Sequence, residues 1–203
     1  STCAIFNEVG ECVMPKEGIF CRVLHGGSIQ AGDAGEYAPK IFRVHIITLS
    51  DRASKGVYED RSGKRISELI EQFFISKKRQ CEIQKTLIPD SVEQLTQLLK
   101  DSVNKYDIII TTGGTGIGPK DFTPDVVKPM LEKEIPGIMD MIRMKYGMQK
   151  PNALVSRSVA GVIGETLVFT LPGSVKAVEE YMTEITTMLE HLIYMLHSLD
   201  FHG

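Results

Sequence analysis

The rhythm of apolar and polar positions changes near residue 41. Upstream, short apolar pieces such as Gly18-Ile19-Phe20-Cys21-Arg22-Val23-Leu24 are punctuated by Pro15, glycine-containing turns and Gly26-Gly27. That pattern predicts small β-strands joined by tight turns. Downstream, strand-like runs alternate with runs at helical spacing. Residues 44–49 form a β-branched and apolar run that predicts a buried strand. From Ser62 to about Lys78, Ile66, Leu69, Ile70 and Phe73 fall on one helical stripe. A second strand is expected over 83–87, ending in Ile88-Pro89-Asp90. Ser91 then reads as a helix N-cap, with Gln94 three residues on completing a capping box and Val92, Leu95, Leu98 and Leu99 on the apolar face.

The next strand is expected over 107–111, followed by a helix with Pro124 at its first position. Another helix follows Pro136-Gly137 and carries Ile138, Met141, Ile142 and Tyr146. A strand over 167–171 is stopped by Pro172-Gly173, and the last helix runs from near Ser174 toward residue 197. Strands alternating with helices predict an α/β fold, a mostly parallel sheet sandwiched by helices and preceded by a short β-rich segment. The expected division is 1–40 and 41–203. In such sheets ligands bind beyond the carboxyl ends of the strands. Ser50-Asp51-Arg52, Asp90, the glycine-dense stretch after Thr112 and Pro172-Gly173-Ser174 should all gather there.

Composition narrows the function. At 203 residues and 42% hydrophobic, the chain can bury one substantial core with a small appendage. Lys and Arg number 23 against 26 acidic residues, with no long basic block, which argues against nucleic acid as a partner. No apolar run approaches the roughly 18 residues of a membrane span, and no signal-peptide pattern is present, so a cytoplasmic protein without a membrane partner is expected. Cys3, Cys12, Cys21 and Cys81 have neither CxxC spacing nor nearby His partners, and read as reduced thiols before any redox or sulfur-handling role for Cys3 or Cys21. His25, His45, His191, His197 and His202 show no ligand spacing. Met139, Met141, Met144 and Met148 suit packing or a subunit interface.

The chemistry concentrates in Thr111-Thr112-Gly113-Gly114-Thr115-Gly116-Ile117-Gly118-Pro119-Lys120-Asp121-Phe122-Thr123-Pro124-Asp125. A glycine-dense turn at a strand end exposes backbone N–H groups and aims a helix N-terminus at an anion, usually a phosphate. Asp121 would repel that anion unless a metal ion stood between them. The loop is neither a Walker loop nor a dinucleotide fingerprint, since Gly118 is followed by Pro119-Lys120 and no ribose-binding acid matches. Taken singly, Asp121 could be a helix-dipole charge, Asp90 a turn residue after proline, and Ser50-Asp51-Arg52 an ordinary helix entry. Together at strand ends the two acids suit metal coordination better.

These residues carry a family resemblance. VHIITLSDRASKG over 44–56, Thr86-Leu87-Ile88-Pro89-Asp90, TTGGTG followed by Asp121 and Thr123-Pro124, Leu154-Val155-Ser156-Arg157 and Leu171-Pro172-Gly173 occur in order. Over about 42–197 the chain resembles the molybdopterin adenylyltransferases, the MogA-like group that includes the G domains of gephyrin and plant Cnx proteins. The resemblance implies a homotrimer of molybdenum cofactor synthesis, with molybdenum-insertion or molybdopterin-synthesis proteins as possible partners. ATP and molybdopterin would be its substrates and Mg²⁺ its metal ion. By resemblance, Asp90 and Asp121 hold Mg²⁺ and are catalytic. Gly113, Gly114, Thr115 and Gly116 cradle phosphate, with hydroxyls from Thr112 and Thr115. Ser50, Asp51, Arg52, Ser156, Arg157, Gly173 and Ser174 line the pterin or nucleotide pocket. Lys120 departs from the frequent Arg before the acid, losing a bidentate fork, and Val175 stands where a proline is usual. A non-catalytic molybdopterin carrier and a gephyrin-like scaffold stay open as alternatives, which nucleotide turnover separates from the enzyme. Residues 3–33 also resemble the closing part of a MOSC domain, a β-barrel module linked to molybdenum cofactor and sulfur handling.

Overall fold

The computed structural model describes residues 26–36 and 38–197. The chain divides into two units between Ala38 and Pro39, and the described strands and helices belong to the second. The strands expected around 18–24, most of the MOSC-like stretch, Cys3, Cys12, Cys21, His25 and His202 lie outside the described residues.

The strands are β1 (Ile41–Leu49), β2 (Gln80–Ile88), β3 (Ile108–Thr112), β4 (Lys133–Glu134), β5 (Ala160–Ile163) and β6 (Thr166–Leu171), joined in one sheet of order β2-β1-β3-β6-β5-β4. The pairs β1–β2, β1–β3 and β3–β6 are parallel, and β5 and β4 add on antiparallel. The helices are α1 (Asp51–Ser54), α2 (Arg61–Ser76), α3 (Val92–Ser102), α4 (Thr123–Val127), α5 (Pro136–Gly147) and α6 (Val175–Leu196). On one face α2, α5 and α6 bury Val44, Ile46, Ile108, Ile110, Leu167 and Phe169 of the sheet. On the other, Leu95 and Leu99 of α3 and Val127 of α4 cover Ile47, Leu49, Ile109 and Val168. The expected α/β sandwich is thus observed.

The β1 run is apolar on both sides because both faces are covered. Strand β2 begins at Gln80, three residues before the expected start, because it is an edge whose exposed Gln80, Glu82 and Gln84 hide it from an apolar count. The sequence does not announce the β5–β6 hairpin; it turns on Gly164, whose φ of +57° a residue with a side chain rarely adopts. The capping box at Ser91 is half formed: Ser91 Oγ accepts from Gln94 N–H at 3.2 Å but donates to Glu93 Oε2 at 3.0 Å. His45 is buried between Ser102 Oγ at 2.7 Å and Thr86 Oγ1 at 2.8 Å, and burial pushes its pKa down. Met139 is core, whereas Met144 and Met148 are exposed.

Helices α5 and α6 are tied by a carboxylate with a predictable pH signature. Glu184 Oε1 accepts from Lys145 Nζ at 2.7 Å and from Tyr146 Oη at 2.9 Å, with its side chain only 9% exposed. The Lys145 hydrogen bond holds the Glu184 carboxyl below the usual range, and burial pushes Tyr146 up to about 12. A carboxyl whose folded pKa is lowered stabilises the fold above its unfolded pKa, and that contribution is lost as pH falls through the folded value. Glu184→Gln should therefore cost about 1–2 kcal/mol at neutral pH and flatten the acid limb of stability. Denaturant midpoints measured from pH 7 down to about pH 3 check this; parallel acid limbs for parent and variant would refute it.

A strand-end cleft as the candidate functional site

Connections leave β1 and β3 toward opposite faces: β1 leads to α2 on one face, β3 to α4 on the other. A crevice forms at that switch point, beyond the carboxyl ends of the strands. Here it is a cleft of about 660 Å³ whose wall is drawn from the segments after β1, β2, β3 and β6.

After β1, Ser50 caps α1, accepting from Ala53 N–H at 3.2 Å and pairing with Tyr58 Oη at 2.8 Å. Asp51 and Asp90 exchange hydrogen bonds: Asp90 N–H donates to Asp51 Oδ1 at 3.0 Å and Asp51 N–H to Asp90 Oδ2 at 3.3 Å. The other Asp51 oxygen takes Lys120 Nζ from the glycine loop. One aspartate thereby stitches three strand-end segments together. The Lys120 ammonium holds the Asp51 carboxyl below its usual range, and Asp51 in turn raises Lys120, keeping it cationic. Arg52 stacks its guanidinium 5.2 Å from the Tyr58 ring centroid.

After β3 the chain turns sharply at Gly113 and Gly114, with φ of +104° and +64°. Gly113 N–H donates to Leu171 O at 3.0 Å, and Thr123 Oγ1 donates to Gly113 O at 2.8 Å. Asp121 folds back under the loop, where its Oδ2 accepts Gly118 N–H at 2.8 Å. Helix α4 has only five residues, so its dipole is weak, and the anion-binding character expected of a helix N-terminus passes to the loop's own N–H groups. After β6, Ser174 caps α6 by accepting from Ala177 N–H at 3.3 Å.

The cleft wall brings together Ser50, Asp51, Arg52, Asp90, Gly113, Gly114, Thr115, Gly116, Asp121, Ser156, Gly173 and Ser174. Two residues expected in it are elsewhere. Thr112 is fully buried and its hydroxyl donates to Pro172 O at 2.9 Å, fixing the β6 exit. Arg157 sits behind the glycine loop, in the wall of a separate recess. Tyr58, Lys120, Asn152 and Val155 join the wall without having been assigned to it. Lys120 lies within the glycine motif and Val155 within Leu154-Val155-Ser156-Arg157; Asn152 arrives on a 3₁₀ turn, Pro151–Val155, that no spacing marks. A second cavity of about 560 Å³ shares the wall at Ser50, Arg52, Tyr58 and Ser174 and extends to Asp60 and Arg61. The two together can seat two ligands of substrate size.

Among the described residues no helix is long and apolar enough to cross a membrane, and no group of three metal-ligating side chains is assembled. Asp90 and Asp121 offer the donor type that Mg²⁺ takes, since that ion is bound through one or two carboxylates and completes its shell with substrate phosphates and water. Each spends Oδ2 on a backbone N–H, leaving Oδ1 for a cation.

A family described as probable molybdopterin binding domain matches residues 45–191. Gephyrin of Dictyostelium discoideum is 36% identical over 162 residues, covering 76% of this chain and 22% of its own length. A molybdopterin adenylyltransferase of Helicobacter pylori strain J99 is 31% identical over 155 residues, 75% of this chain and 86% of the relative. A solved MogA structure superposes with a TM-score of 0.69 at 35% identity, covering 76% of this chain and 99% of that one.

Proposed function

The chain belongs to the probable molybdopterin binding domain family, and from that membership we propose that its cleft transfers AMP from ATP to the terminal phosphate of molybdopterin, releasing pyrophosphate, in molybdenum cofactor biosynthesis. The observation that carries the reading is the meeting of a glycine loop, two carboxylates and a lysine in one strand-end cleft. Relatives named molybdopterin adenylyltransferase at 31% and 35% identity agree with it.

The chain's own part is orientation and charge neutralisation, because anionic groups must approach one another for in-line displacement. Backbone N–H groups of 114–117 bind the nucleotide phosphates, those of Gly113 and Gly118 being spent on Leu171 O and Asp121 Oδ2. Lys120 supplies a positive charge at the loop mouth, delivered by its tie to Asp51. Asp90 and Asp121 would hold Mg²⁺, which when bound neutralises phosphate oxygens and the departing pyrophosphate. Arg52 and Ser50 line both cavities and orient whichever substrate lies across them. No general base is required, since a phosphate monoester with a second pKa near about 6 is already a dianion at neutral pH.

The same reading takes residues 1–40 as a partial MOSC-like segment ahead of the 41–203 domain. It takes the protein as a cytoplasmic homotrimer, with exposed Met144 and Met148 as candidate subunit-contact residues. Incubation of the protein with molybdopterin, ATP and Mg²⁺ should yield adenylyl-molybdopterin and pyrophosphate in equal amounts. Tight molybdopterin binding without pyrophosphate release would sink the enzyme and leave a carrier or scaffold.

A further inference from the structure

Arg157 donates from its backbone N–H and from all three guanidinium nitrogens to the back of the glycine loop and to the start of α4. Its N–H donates to Thr115 O at 2.8 Å and its Nε to Gly116 O at 2.7 Å. Nη2 donates to Asp121 O, and Nη1 reaches both Asp125 oxygens at 2.7 and 2.9 Å. The segment carrying it is itself held, because Arg143 Nη1 donates to Ser156 O at 3.3 Å and Ser158 O at 2.9 Å. Arg157 is absent from the cleft wall.

A planar peptide points its C=O and N–H in opposite directions. Drawing the carbonyls of Thr115, Gly116 and Asp121 rearward turns the N–H ends of the same peptide units away from the arginine. It also satisfies carbonyls that a loop built to present N–H groups would otherwise leave unpaired. Asp121 is thereby gripped twice, by its main-chain oxygen behind and by Gly118 N–H on its carboxylate at 2.8 Å. Lysine cannot reproduce this, since the contacts use the spread of a planar fork.

We propose that Arg157 is a positioning residue for the transfer reaction: from behind the loop it fixes the Asp121 carboxylate and the phosphate-facing N–H groups, with Asp125 as its counter-ion. The inference rests on the adenylyl-transfer reading. Its test compares the full chain with Arg157→Ala and Arg157→Lys, measuring turnover against Mg²⁺ concentration and the affinity for magnesium pyrophosphate by calorimetry. Arg157→Ala should lose about 10²-fold in kcat, the scale of a misplacement of about 1 Å. Its KM for molybdopterin should change less than about threefold, and half-maximal Mg²⁺ should rise about tenfold. Added guanidinium should restore part of the rate, and Arg157→Lys should fall between. Parental kcat and Mg²⁺ response in Arg157→Ala would overturn the inference, as would a loss that guanidinium leaves untouched. Should Arg157→Ala fail to fold, Arg157→Lys answers the kcat and Mg²⁺ criteria. A parent without turnover sinks the adenylyl-transfer reading instead, and the anchor then stands or falls on weakened magnesium pyrophosphate binding in the variants.

Discussion

Asp121→Asn should lower adenylyl-molybdopterin formation by about 10³-fold, the several kcal/mol that a metal-bound charge contributes to phosphoryl transfer. The substitution is nearly isosteric, and its amide oxygen can still accept Gly118 N–H, as Asp121 Oδ2 does at 2.8 Å. The loop should keep its shape and thermal stability should hardly change. What disappears is a full negative charge beside the loop. Affinity for ATP without metal should then rise or hold, because a repulsive carboxylate has gone, while Mg²⁺ should cease to stimulate. Parallel Mg²⁺ titrations of parent and variant, read by pyrophosphate release, decide it. An Asn variant that keeps about half the parental rate at saturating Mg²⁺ would place the metal elsewhere in the cleft. Asp90→Asn should also lose activity, but with a structural component, because Asp90 exchanges backbone hydrogen bonds with Asp51 across two strand ends.

The parts of this fold legible in the sequence are those where local and tertiary demands coincide. Strand β3 is buried throughout and β1 from Val44 onward, so with the exception of His45 these positions select an apolar or β-branched residue and the run is visible without a partner. Strand β2 and the antiparallel end are different. Lys133–Glu134 is a strand only because it pairs with β5, and nothing in two charged residues announces that. The link Gly164-Glu165 lacks the Asn-Gly or Asp-Gly signature of the commonest hairpin turns, so β5 merged with its surroundings.

The candidate site divides along the same line. Acids and glycines at strand ends could be placed because parallel α/β topology sends all strand carboxyl ends to one edge. Which side of a loop a neighbouring arginine occupies depends on side-chain reach across about 40 residues of sequence, as in the Arg157–Gly116 contact. Resemblance located Ser156-Arg157 near the cleft, and the packing distinguishes them: Ser156 lines both the cleft and the recess behind it, Arg157 the recess alone. Thr112 follows the same logic, since a β3 residue pointing into the sheet's helical cover spends its hydroxyl on Pro172 O.

Two glycines of the loop should respond to the same substitution in opposite ways. Gly113 has φ of +104°, and an added Cβ would lie 2.4 Å from Leu49 O, a backbone atom of β1. Backbone cannot step aside without prying β1 from β3, which pair from Val44↔Ile108 to Thr48↔Thr112. Conformational strain of about 1–3 kcal/mol adds to overpacking of about 1–3 kcal/mol, so Gly113→Ala should cost about 4 kcal/mol. For a domain of this size that lowers Tm by about 10 °C. Gly116 has ordinary φ, and its added Cβ would meet Asp121 Oδ2 at 2.7 Å, a side-chain atom that can move. Gly116→Ala should therefore keep its Tm within about 2 °C yet lose about 10²-fold in kcat as the carboxylate shifts. Thermal melts and steady-state kinetics on the two variants separate the roles. If Gly116→Ala turned over at the parental rate while Gly113→Ala melted normally, the loop would be tolerant where close packing says it is not. The Asp121 carboxylate would then have no claim to a fixed position.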